Sequence, residues 1–276
     1  MTDYGPDQVG RLYAEKHAEA LHELGRFNLA VFGKTGAGKS TLVNAIFGQR
    51  VAATGTGQPV TTGLQYYTHP DGILGLYDSA GFETGEAGDV VLDRLDQIVR
   101  ESRSKSVAER IHAAWYTVRW SDRRFESRQG DFARRLSDLG LPVVMVLTQV
   151  PMNAAGQLHP DAVELAAYIE GLGLPLRPTT RAYLTNALED PFHATPVHGL
   201  QALLDATFET APEAALLALT AAQQIDLERK RQAATRIVRT SAGAAVATGA
   251  TPIPFSDAAI LIPLQVTMLA RVTATS

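Results

Sequence analysis

The stretch Gly33-Lys34-Thr35-Gly36-Ala37-Gly38-Lys39-Ser40-Thr41 decides how this 276-residue chain is read. It fits the spacing G-x-x-x-x-G-K-[ST]. Before it runs Phe27-Asn28-Leu29-Ala30-Val31-Phe32, a short apolar run that reads as a buried strand. After it, Leu42, Val43, Ile46 and Phe47 recur at helical spacing and Gly48 stops the run. Strand, glycine loop and helix in that order make a phosphate site. The glycines let successive N–H groups turn inward on phosphate oxygens. The helix adds its unpaired N–H groups and the positive end of its dipole. Lys39 is expected to reach the β- and γ-phosphates, and the Ser40 hydroxyl to ligate Mg²⁺. Gly33 to Thr41 are therefore the expected phosphate-binding residues.

Downstream, residues 50–62 carry no apolar period and are rich in Gly, Thr and Ala, with Pro59 before Val60-Thr61-Thr62. A polar loop after the first helix is where a nucleotide-sensing segment would lie. Thr61 is the first choice to close over the γ-phosphate and Mg²⁺, and Thr62 the second. Leu64–Thr68 and Ile73–Tyr77 flank His69-Pro70-Asp71-Gly72, a turn signal, so they read as a β-hairpin. The second strand runs into Asp78-Ser79-Ala80-Gly81. A carboxylate at a strand end holds Mg²⁺, directly or through water. A glycine three residues on lets a backbone N–H approach the γ-phosphate. Lys39, Thr61, Asp78 and Gly81 are thus the expected catalytic set, with Ser40, Thr61 and Asp78 at the metal.

The string G-K-T-G-A-G-K-S-T-L-V-N-A-I-F-G, a threonine-bearing loop and then Y-D-S-A-G-F-E resemble the translation-factor-related class of P-loop GTPases. Within it, the phosphate loop resembles the branch holding septins, chloroplast-import, immune-associated and interferon-inducible GTPases. The resemblance covers about residues 26–190. It implies an α/β fold with a mixed sheet, mostly parallel with one antiparallel edge strand, flanked by helices and followed by a C-terminal helical appendage. It also implies GTP or GDP and Mg²⁺ as cofactors. Two positions depart from it. Where Ras-like members carry a water-orienting glutamine, this chain has Phe82, so intrinsic hydrolysis is expected to be slow; Glu83 and Glu86 are the nearby alternatives. Where the class reads guanine with [NT]-K-x-D, the run Leu141–Leu147 ends in Thr148-Gln149-Val150-Pro151. Proline supplies no side-chain acceptor, so guanine preference is expected from kinship alone. Thr148 and Gln149, with Asn186 and Ala187 after the last strand at residues 181–184, are the expected base-side residues.

Outside these motifs, residues 6–24 read as an amphipathic helix on the flank of the nucleotide domain. Val90–Val107, Arg123–Leu139 and Asp161–Gly171 read as helices, and Ile111–Trp120 as an aromatic-rich strand. Arg119, Arg123, Arg124 and Arg128 fit either a solvated face or an arginine finger, within the chain or across a homodimer. Residues 197–211 read as a helix, and a second one opens at Pro212 and runs into the 240s. The seven histidines show no metal-ligand spacing.

The expected organisation is an N-terminal helix (1–25), a nucleotide domain (26–211) and a helical, apolar C-terminal region (212–276). From Thr240 to Ala270 the only charged residue is Asp257. Neither apolar half reaches the ~20 residues of a membrane span. The segment resembles a hydrophobic helical domain attached to some bacterial GTPases, which there continues further. Residues 240–276 are expected to fold back on the nucleotide domain, to bind a protein partner or to lie at a membrane surface. Net charge −4 indicates no nucleic acid, and the lack of cysteine suits a reducing cytoplasm. The expected place is cytoplasmic, peripheral at the inner membrane face. The leading reading is a GTP-binding regulatory switch. A P-loop ATPase or kinase of relaxed base preference and a non-hydrolysing nucleotide-binding module are the alternatives.

Overall fold

The computed structural model describes residues 5–48, 58–61, 64–79, 86–102, 104–190, 195–249 and 257–275. In chain order the elements are α1 (Pro6–Leu24), β1 (Phe27–Phe32), α2 (Lys39–Phe47), β2 (Gln58–Thr61), β3 (Leu64–Thr68), β4 (Leu74–Ser79), α3 (Glu86–Ser102), β5 (Ala113–Arg119), α4 (Ser127–Asp138), β6 (Val143–Thr148), α5 (Pro160–Gly171), β7 (Ala182–Leu184), α6 (Leu200–Thr210), α7 (Glu213–Ala222), α8 (Leu227–Gly249) and α9 (Asp257–Thr275). The strands form one sheet in the order β2-β3-β4-β1-β5-β6-β7. β1 pairs in parallel with β4 and β5, and β6 in parallel with β5 and β7.

The expected mixed α/β sheet is present, with one correction at its edge. A single strand, β3, runs against the others, as expected, but it is not the outermost: β2 pairs antiparallel with it and adds a further edge strand. Gln58–Thr61 had read as part of a polar loop. Its Val60-Thr61 pair is β-branched and fits a pleated edge. Pro59, which has no N–H to give, is tolerated on an outermost strand. The β3–β4 turn follows the sequence: Gly72 takes φ 73° and the His69 N–H reaches the Leu74 carbonyl at 2.8 Å.

Side chains alternate across β1 and so divide the core in two. Phe27, Leu29 and Val31 pack with α2, α6 and α7; Ala30 and Phe32 pack with α3, α4 and α5. Trp115 of β5, fully buried on the first face, donates its indole N–H to the Thr207 hydroxyl at 3.0 Å. Burial without that partner would leave a polar group uncompensated.

The helix expected to run on from Pro212 is broken instead into α7 and α8. Gln223, fully buried, breaks it. Its side-chain oxygen accepts the N–H groups of Ile225 (2.9 Å) and Asp226 (2.7 Å), replacing helix carbonyls. Asp226 then opens α8 by accepting from Arg229 N–H at 2.9 Å. The junction is bonded to the end of α2 through Gln224 N–H and the Ile46 carbonyl, 2.8 Å.

Of the fates open to the apolar C-terminus, folding back is the one seen for the described part of α9. Val266, Ala270 and Ala274 are buried. Tyr13 of α1 hydrogen-bonds Thr273 at 2.8 Å, and Arg271 pairs with Glu23 at 2.9 Å. α1 therefore lies mainly against α9, and only its end, Ala20 and Leu24, joins the core beside the sheet. Among the described residues no helix is long and apolar enough to cross a membrane.

Candidate nucleotide site

The phosphate loop joins β1 to α2 at the C-terminal edge of the sheet. Gly33 has φ 141°, and a Cβ there would sit 2.2 Å from Thr117 Oγ1 and 2.4 Å from its carbonyl oxygen. Only glycine fits, because β5 passes directly behind the loop. Gly38, at φ 80°, precedes α2 with no side-chain cap, so the first N–H groups of the helix are left for an anion. Lys39 is buried, and its Nζ donates to the carbonyls of Gly33 (2.9 Å) and Lys34 (3.2 Å). Burial holds its pKa below the ordinary lysine value, and the Asp78 carboxylate partly opposes this. Ser40 and Thr41 are exposed on the first turn. Lys34 leaves the loop sideways to Glu126 at 3.1 Å. Thr35 is exposed on the same loop, and Ala37 is buried with its N–H on the Lys34 carbonyl at 3.1 Å.

Asp78 stands near the end of β4, paired with Val31 of β1. Its Oδ1 is buried with no hydrogen-bond partner among the described residues. Burial pushes its pKa from 3.8 to about 6, against the pull of Lys39. A carboxylate oxygen withdrawn from water and left unpaired is costly unless a cation meets it. Together with the Ser40 hydroxyl, it is the hard oxygen donor set that Mg²⁺ takes, so these two residues fit the metal and would hold it. Thr61 is the last residue of β2, across from Leu64. Thr62, Gly81, Phe82 and Glu83 lie outside the described residues, and Glu86 opens α3.

The β6 end serves the phosphate loop more than sequence reasoning foresaw. Thr148 is buried and donates to the Ala37 carbonyl at 2.7 Å. Gln149, held at φ 59°, donates through Nε2 to the Gly36 carbonyl at 3.0 Å. Both therefore brace the loop. Asn186 is likewise committed: its N–H goes to the His198 carbonyl (3.0 Å) and its side-chain amide to the carbonyls of Leu188 and Pro196. Neither group is therefore free for the base beside which Asn186 was expected. A cavity of about 990 Å³ opens beside Gly38 and Thr41, walled by Thr148, Gln149, Pro151, Asn186 and Ala187. The structure thus brings the expected base-side residues to one cleft. Trp120 and His159, whose rings lie 4.6 Å apart, add an aromatic wall that no motif announced.

Part of the chain is similar in sequence to known proteins. The family model described as 50S ribosome-binding GTPase matches residues 28–149. GTPase Der of Nitrobacter winogradskyi is 30% identical over 152 residues, 54% of this chain and 31% of that protein. GTPase Era of Xanthomonas axonopodis pv. citri is 31% identical over 126 residues, 45% of this chain and 39% of that protein. The chain thus spans between 31% and 39% of the length of these relatives. Among solved structures, a probable GTP-binding protein engB superposes with a TM-score of 0.42 at 19% identity, covering 66% of this chain and 97% of that one. Residues 28–149, from the first strand to the brace on the phosphate loop, match the 50S ribosome-binding GTPase family.

Proposed function

We propose that the protein binds GTP with Mg²⁺ and hydrolyses it slowly, as a regulatory switch. The observation that carries this reading is the unpaired, buried Asp78 oxygen beside the phosphate loop that holds Lys39. Loop N–H groups and the start of α2 cradle the phosphates, and Lys39 exchanges its two carbonyl partners for phosphate oxygens. Ser40 and Asp78 would hold Mg²⁺, which would supply positive charge to the phosphates. Thr61 and Gly81 are the residues assigned to the γ-phosphate, and Ala187 rather than Asn186 to the base. The string of the phosphate loop favours the septin and interferon-inducible branch. Lys39→Ala removes the charge over the phosphates, and titration with a fluorescent GTP analogue tests it: tight, Mg²⁺-dependent binding by the parent and equally tight binding by the variant would end this reading.

Pro151 favours a second reading, a site of relaxed base preference that also accepts ATP, and competition between GTP and ATP decides between them. The partner surface of the switch is the arm formed by α8 and α9. From Leu227 to Ala242 every residue of α8 is half-buried or exposed, and Arg231, Arg236 and Arg239 are exposed. Each basic residue near an anionic leaflet contributes about 1 kcal/mol. Flotation with anionic vesicles, comparing the chain with Arg231, Arg236 and Arg239 changed to Glu, tests a membrane; equal recovery in the soluble fraction leaves a protein partner.

A further inference from the structure

Phosphoryl transfer spreads negative charge over the transferred group, and protein cations in fixed positions meet it. Lys39 is one such cation. The residue after Gly81 is Phe82, which orients no water, so the burden on electrostatics is greater. Two of the arginines near the site are turned elsewhere: Arg123 pairs with Asp161 at 3.1 Å, and Arg124 faces Glu126 at 3.9 Å. Arg119 is different. It is the last residue of β5, in register with Thr148 of β6, and so stands on the same strand edge as the phosphate loop. Asp122 accepts from its Nε at 2.8 Å and its Nη2 at 2.7 Å. That grip fixes the guanidinium plane and leaves Nη1 over the loop, 3.8 Å from where a Cβ on Gly36 would lie. The Arg119 side chain is 42% exposed, so it has room to shift toward a ligand.

We propose that Arg119 is a catalytic residue acting within its own chain, meeting the charge that develops on the transferred phosphoryl group, with Asp122 as the positioning residue that aims it. This rests on the GTP-hydrolysis reading. In the step, a water oxygen bonds to the γ-phosphorus as the bond to the β–γ bridging oxygen breaks. GDP and inorganic phosphate leave, and the proton of the water ends on phosphate. Arg119 exchanges no proton; it supplies charge and hydrogen bonds.

The test is single-turnover GTP hydrolysis together with GDP affinity and formation of the GDP–fluoroaluminate complex, on the parent, Arg119→Ala, Arg119→Lys and Asp122→Asn. Arg119→Ala is expected to slow the chemical step at least ~100-fold with GDP affinity within about threefold of the parent, and to lose the fluoroaluminate complex. Arg119→Lys recovers part of the rate, and Asp122→Asn falls between. A parental rate in Arg119→Ala overturns the proposal, as does a loss of GDP affinity that accounts for the whole effect. Should the parent bind GDP but hydrolyse no GTP, the hydrolase reading fails by itself. The fluoroaluminate complex then still decides on Arg119: its formation by the parent alone supports the role, and equal formation by Arg119→Ala overturns it.

Discussion

Asp78→Asn should stabilise the nucleotide-free protein while destroying its response to Mg²⁺ and GTP. In the folded chain the carboxyl pKa is about 6 against an ordinary 3.8, chiefly because burial disfavours its charge. A raised acid pKa means that the folded state takes up the proton more readily than the unfolded one. Any stability from this is present below pH 3.8 and lost as pH rises through about 6. At pH 7 the charge is therefore a burden. A shift of roughly two units at about 1.4 kcal/mol each amounts to about 3 kcal/mol. Asparagine keeps the shape and removes the charge, but its buried amide lacks partners, which cancels about 1 kcal/mol. About 2 kcal/mol remains, or a rise of roughly 4–6 °C in melting temperature for a chain of this size. Differential scanning calorimetry at pH 7 without nucleotide reads it directly. With Mg²⁺ and GTP added, the parent should rise in melting temperature and the variant should not. If the nucleotide-free variant melts at or below the parent, the carboxylate is not a burden. If Mg²⁺ with GTP raises both equally, Asp78 does not serve the metal.

Gly33→Ala should cost at least ~2 kcal/mol in the denaturant midpoint, since a side chain at φ 141° is strained and would lie 2.2 Å from Thr117 Oγ1; a neutral result would mean that loop and β5 separate easily. His112 is buried, its Nδ1 accepting from Asn28 N–H at 2.9 Å and its Nε2 bonded to the Val107 carbonyl at 2.7 Å. Burial lowers its pKa below 6.5, so the unfolded chain takes up the proton first and stability drains away as pH falls below that value. Because Asp78 acts in the opposite sense below about pH 6, urea midpoints of the parent and His112→Gln should be compared at each pH between 7.5 and 5.5, where a difference that does not change with pH would refute the assignment.

The phosphate loop and the β3–β4 hairpin were legible because local chemistry alone dictates them. A G-x-x-x-x-G-K-[ST] run between strand and helix has one use, and His69-Pro70-Asp71-Gly72 turns the chain wherever it occurs. The reading failed where the deciding partner lies far along the chain or is an ordinary polar side chain. Gln223 looks like helix surface until its oxygen takes the N–H groups of Ile225 and Asp226 and ends α7. Gln149 departs from the lysine of its class and was expected at the base side only; its amide also reaches the Gly36 carbonyl. β2 escaped notice because an edge strand borrows its order from β3 and needs no apolar period of its own. Asp78 was found by position, but the unpaired state of its oxygen is a property of packing that no spacing encodes.

The pairing of α1 with α9 sets a timetable for synthesis. Tyr13 and Thr273, which meet through their hydroxyls, are 260 residues apart. At about 5–20 residues per second of translation, α1 leaves the ribosome roughly 13–52 s before its partner is complete. Throughout that interval the face of α1 that α9 will cover is open to water and to other chains. The nucleotide domain's sheet, whose strands all lie between residues 27 and 184, has its full sequence well before then. Nucleotide can therefore meet a finished phosphate site on a chain whose α1 is still unpartnered, and a chaperone that binds apolar helices would find its target in α1.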